Sequence, residues 1–123
     1  MNKYEQIVAK LLKHKNTQQW ENIPRRKVPD VLSKYGQIDK VYKTKLSDDL
    51  TLYLYTTLRN CFDTECEDYY IKEFIGASIF CESTEVRSFD DDNVDKATLY
   101  ELLRVATENS LEISTKLNAF LEN

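Results

Sequence analysis

The sequence predicts an α+β fold: an antiparallel meander of three to four strands packed against an N-terminal helix and one long or two shorter C-terminal helices. Three observations point there. Apolar residues recur at helical spacing at both ends of the chain. They alternate at period two in the middle, and the strand candidates are joined by connections too short for a crossover helix. The 123 residues, 41% of them hydrophobic and 31% charged, are enough for one core and read as a single domain over 1–123.

The elements follow in order. Over residues 3–15, Tyr4, Ile7, Val8, Leu11 and Leu12 share one helical face, and Lys3, Lys10, Lys13 and Lys15 fall mainly elsewhere. Residues 16–37 are irregular, with Trp20 and Ile23 as anchors and Pro24 and Pro29 disfavouring helix before them. Pro29–Tyr35 fits a short helix that Gly36 ends. Residues 40–46 alternate, and residues 50–59 alternate most clearly, with Leu50, Leu52, Leu54 and Leu58 on one face and Tyr53, Tyr55, Thr57 and Arg59 on the other. Ser47-Asp48-Asp49 joins the two as a hairpin. Residues 60–68 read as an acidic loop. Residues 69–82 are apolar on both faces, the pattern of a central strand, with Gly76 marking a bulge or a close approach. A fourth strand fits 84–89, and the Asp90–Asn93 run offers helix caps. Leu99, Leu102, Leu103, Ala106, Ile113, Leu117, Phe120 and Leu121 then hold one stripe, with its weak point at Thr107–Ser110, where Ser110 can cap a second helix.

Much chemistry is excluded. Two glycines leave no phosphate-cradling loop. The single histidine, His14, lies between Lys13 and Lys15 and is expected in solvent, so no catalytic residue is assigned. Cys61, Cys66 and Cys81 lack the second ligand pair of a zinc site and are expected as reduced thiols, Cys81 buried in its strand. Read as a calcium loop, the run from Asp90 puts Val94 at a ligand position and Asp95 where glycine belongs, so helix capping is the better reading. No cofactor or metal is expected. No apolar run approaches the ~18–20 residues that span a bilayer, and no signal peptide is visible, so the expected location is the cytoplasm without membrane contact.

Charge is segregated. Residues 1–45 carry 11 Lys/Arg against 4 Asp/Glu, a net +7, whereas residues 46–123 carry 6 against 17, a net −11. Either the two parts neutralise each other on folding, or they form faces of opposite sign for partners or for head-to-tail self-association.

These features fit best a small acidic protein-binding module that blocks a partner's functional surface, of the immunity-protein, antitoxin or phage-encoded inhibitor type. The partner would carry a basic surface, which acidic clusters steer toward. The expected contacts are Tyr53, Tyr55, Glu65, Glu67, Asp90, Asp91 and Asp92. That assignment needs the tyrosine face to be open; a helix, or the 16–37 segment with Trp20, covers it in the competing arrangement. The alternative is a small-molecule or nucleotide-type anion binder or enzyme, with a pocket between sheet and helices gripped by Arg25, Arg26, Arg59 and Arg87. A further alternative is nucleic-acid binding through the basic N-terminal third, which the overall pI of about 5.1 disfavours. The C-terminal stripe also offers a homodimer interface, with Ser110 falling in the heptad series.

Overall fold

In the computed structural model, which describes residues 1–122, the apolar face at positions 4, 7, 8, 11 and 12 winds into helix α1 (Lys3–Lys13). Asn2 and Glu5 form a capping box: Asn2 Oδ1 accepts from the Glu5 amide at 2.8 Å, and Glu5 Oε1 accepts from the Asn2 amide at 2.9 Å. Asn2 Nδ2 also donates to the Asn93 carbonyl at 2.8 Å, tying the start of α1 to the far end of the sheet.

The sheet is a five-stranded antiparallel meander: β1 (Glu21–Asn22), β2 (Gln37–Lys45), β3 (Leu50–Asp63), β4 (Asp68–Cys81) and β5 (Thr84–Asp90), in that spatial order. β1 is an addition to the expected three or four strands. Its two residues pair with Tyr42 and Lys43, and two residues carry no readable period. The chain crosses the sheet edge there. Trp20 packs with the helices, its amide donating to Asn109 Oδ1 at 2.8 Å, while Ile23 enters a second core on the opposite face.

Both sheet faces are therefore covered. On one, α1 and helix α2 (Lys96–Ser110) bury Leu52, Leu54, Ile75, Ala77 and Ile79 beneath Val8, Leu11, Leu99, Leu102 and Ala106. On the other, 3-10 turns at Arg25–Lys27 and Asp30–Tyr35 lay Leu32, Val28 and Tyr35 over Val41, Tyr55 and Phe80. The irregular segment covers the tyrosine face, but Trp20 takes no part in it. Gly76 serves close approach: a Cβ there would stand 3.3 Å from the Tyr55 ring, which lies across β4 at this point. Gly36 ends the second 3-10 turn at φ +132°, where a Cβ would meet Arg59 Cγ at 3.0 Å. Gly36→Ala is expected to cost about 1–2 kcal/mol through backbone strain, read as a lower urea midpoint; an unchanged midpoint would mean that the turn relaxes freely.

Three expectations need correction. Residues 60–68 are not a loop. The ladder continues to the pair Asp63–Asp68, and the turn is Thr64–Glu67, with Asp63 Oδ1 accepting from the Glu65 amide at 2.9 Å. Cys81 is exposed rather than buried, because it is the last residue of β4, at the turn into β5. The cap of α2 is Asp95, whose side chain accepts from the Thr98 amide, while Asp90–Asn93 form a separate turn that lets Val94 reach the core.

The C-terminal stripe divides into α2 and α3 (Ile113–Glu122), broken at Glu112 with φ 52° rather than at Ser110, which ends α2. Leu99, Leu102, Leu103 and Ala106 belong to the core, whereas no α3 residue is buried. A second copy of the chain would find only Leu117, Phe120 and Leu121 free on this stripe.

Candidate functional site

β3 and β4 are each 14 residues long, and their neighbours are shorter. The β2 pairing ends at Leu58 and the β5 pairing ends at Gly76. Residues 59–63 and 68–72 consequently pair with each other and with no other strand. They form a two-stranded arm of about 16 Å at ~3.3 Å per residue, open along both edges.

Opposed residues of an antiparallel ladder share a face. The pairs Phe62–Tyr69 and Asn60–Ile71 therefore continue the same face that holds Leu52 and Leu54 under the helices. Helix cover stops short of them: Tyr100 of α2 donates to Glu73 Oε2 at 2.8 Å at the arm's base. Burial and this bond push the Tyr100 phenol up to about 12. Beyond it, Phe62 is 50% exposed, Tyr69 71%, Ile71 70% and, on the other face, Tyr70 48%. Phe62 and Tyr69 rest on each other with ring centroids 5.1 Å apart. Asp63, Glu65, Glu67 and Asp68 crown the tip. The arm thus presents an exposed apolar and aromatic surface that ends in four carboxylates.

At its base lies a groove of about 400 Å³ lined by Tyr35, Arg59, Phe74 and the Asp90–Asp92 run. Arg59 is fixed there. Its Nε donates to the Tyr35 carbonyl at 2.6 Å, and its guanidinium lies 4.1 Å from the centroid of the Phe74 ring. The carboxylates of Asp90, Asp91 and Asp92 come within 4.8 Å of one another, all exposed, and Asp90 Oδ1 already accepts from the Asp92 amide.

No family model, curated protein or solved structure matches this chain. Among the described residues, no helix is long and apolar enough to cross a membrane.

The expected contact residues separate. Glu65 and Glu67 sit at the arm's tip, and Asp90, Asp91 and Asp92 at its base, all exposed. Tyr55 is 4% exposed; its hydroxyl is 3.1 Å from Ser78 Oγ, and burial raises its pKa. It is a core residue because the 3-10 turns roof its face. Tyr53 is half-buried against Phe80. The four arginines do not converge. Arg59 lines the base groove, Arg87 a groove beside α1, and Arg25 a shallow depression by Pro29, while Arg26 is exposed on its turn.

The sequence reading places Phe62 in a loop and Tyr69, Tyr70 and Ile71 in a central strand apolar on both faces; the structure corrects this, because the β5 pairing ends at Gly76 and these residues stand exposed. The signal was present: a Tyr-Tyr-Ile run flanked by Glu65, Glu67 and Asp68 on one side and Lys72 and Glu73 on the other is too charged to be covered on both faces. The charge segregation also persists in the fold. Among the described residues, a single ion pair, Lys34–Glu85, joins the basic third to the acidic remainder.

Proposed function

We propose that the protein binds a second protein carrying a basic surface and blocks it, as an immunity protein, antitoxin or phage-encoded inhibitor does, with the β3–β4 arm as the contact element. The observation that carries this reading is the exposed Phe62, Tyr69, Tyr70 and Ile71 set beneath four carboxylates. Aromatic rings supply contact area at low entropic cost, and such residues dominate interface energetics. The acids accelerate encounter with a basic partner. The groove at the base, with Asp90–Asp92 along one wall, has the chemistry to take a lysine or arginine from that partner.

Affinity capture on the immobilised full chain from cells of its source, at low and high salt, tests the reading. The expected result is a basic-surfaced partner held by the parent protein. Phe62→Ser/Tyr69→Ser/Ile71→Ser should weaken it by about tenfold or more. Asp90→Lys/Asp91→Lys/Asp92→Lys should slow association and flatten the salt dependence. A partner that both variants hold as tightly as the parent does would place the contact elsewhere.

A further inference from the structure

A second groove lies far from the arm in the chain's pairing scheme, between α1, the β2–β3 turn and the β4–β5 edge. It encloses about 520 Å³, within the range of small-molecule sites. Its floor is apolar: Ile7 and Leu11 from α1, Leu46 and Leu50 from the hairpin, Ile79 from β4 and Val86 from β5. Its rim is cationic: Lys3 and Lys10 from α1, Lys45 from the end of β2 and Arg87 from β5, with His14 also lining the groove. No acidic residue lines it. Among the described residues, none of Lys3, Lys10, Lys45 or Arg87 has an ion-pair partner.

We propose that this groove binds a single-chain amphiphilic anion, an aliphatic chain with a carboxylate head group. An apolar floor by itself selects nothing beyond size. Four cations gathered from three separate elements, with no acid among the residues that line the groove, repel one another and, among the described residues, have no ion-pair partner within the chain to offset that repulsion. They match an anionic head group that stays at the water boundary while its tail covers Ile7, Leu46, Leu50 and Val86. Lysine and arginine suit that geometry because their aliphatic stems lie along apolar surface while the charge remains solvated. Arg87 is held for it, its Nη1 donating to the Val86 carbonyl at 2.7 Å, with the remaining guanidinium donors free for a carboxylate. The site is separate from the proposed protein contact, and neither depends on the other.

The probe is dodecanoate, titrated below its micelle-forming concentration into the full chain and followed by calorimetry, with acetate and dodecyltrimethylammonium as controls. The expected result is one bound dodecanoate with a negative heat-capacity change and no binding of either control. Lys10→Gln/Arg87→Gln should weaken binding by about tenfold, and Val86→Asp should abolish it. All three positions are exposed, so these variants should keep the parent's circular dichroism. Methyl chemical-shift changes confined to Ile7, Ile79, Val86 and the neighbouring leucines of the parent protein locate the site without any variant. Absence of dodecanoate binding, equal binding of the cationic amphiphile, or unchanged affinity in the variants overturns the proposal. So does binding to anionic vesicles without binding of free dodecanoate, or a rim-dependent self-association in its place.

Discussion

Leu54→Ala is expected to destabilise the protein by about 2–5 kcal/mol, while Ile71→Ala stays within about 0.5 kcal/mol of the parent. The two residues lie on one hairpin, on the same face of the same ladder. Leu54 is 0% exposed, opposite Ala77 and beneath the helices, so its removal leaves a cavity in a packed layer. Ile71 is 70% exposed and already in water. Against the total of about 5–15 kcal/mol that holds a domain of this kind, the first change is a large fraction and the second is negligible. Urea unfolding reads both as midpoint shifts at unchanged slope. A cost at Ile71 equal to that at Leu54 would mean that the arm is packed within the monomer, and the proposed contact element would be lost with it. The contrast separates the two halves of the hairpin: one half is packed into the core, and the other stands in water.

The sequence showed this hairpin only in part, for a physical reason. The leucines at alternate positions in Leu50–Leu58 and the 3.6-residue spacing in α1 and α2 mark the faces packed into the larger core, and burial is what selects sequence strongly. A strand in water on both faces is under no such pressure, so Asn60–Asp63 has the composition of a loop. The layer over Tyr55 is hidden for a related reason. Val28, Leu32 and Tyr35 lie at no regular spacing, because Pro24, Pro29 and Gly36 impose turns between them. The fold class, both long hairpin partners and the two-sided apolar pattern of Ile75–Phe80 were legible. The two grooves were not, since each gathers residues from separate elements: Arg59 with Asp90, and Lys10 with Lys45 and Arg87. Spacing along the chain carries no trace of such gatherings.

Glu85→Ala is expected to cost about 2–3 kcal/mol near neutral pH, because one carboxylate bolts that second layer to the sheet. Glu85 on β5 accepts from Lys34 Nζ at 2.6 Å and from the Tyr35 hydroxyl at 3.1 and 3.2 Å. Its side chain is 12% exposed, whereas that of Lys34 is 52% exposed. Water therefore screens the lysine's share, and most of the cost is a partly buried tyrosine hydroxyl left without its charged acceptor. Burial alone would push the Glu85 carboxyl up, but the hydrogen bonds from Lys34, Ser78 and Tyr35 outweigh it and hold the carboxyl below its usual 4.5. The sign follows from linkage: a depressed carboxyl contributes its stability fully above its unfolded pKa and loses it as pH falls through the lower folded value. The parent's stability should thus decline below about pH 4.5 more steeply than that of Glu85→Gln, whose acid limb lacks this contribution. The effect should also reach Tyr55, which Tyr35 covers with ring centroids 5.6 Å apart. Burial raises the Tyr55 pKa above its usual 10 in the parent. With Tyr35 unbolted in Glu85→Ala, its phenolate absorbance should appear at lower pH. A Glu85→Ala protein with the parent's urea midpoint at pH 7 and the parent's acid limb would show that the 3-10 turns hold to the sheet by Leu32 and Val28 alone, and that the ion pair is ornamental to the fold.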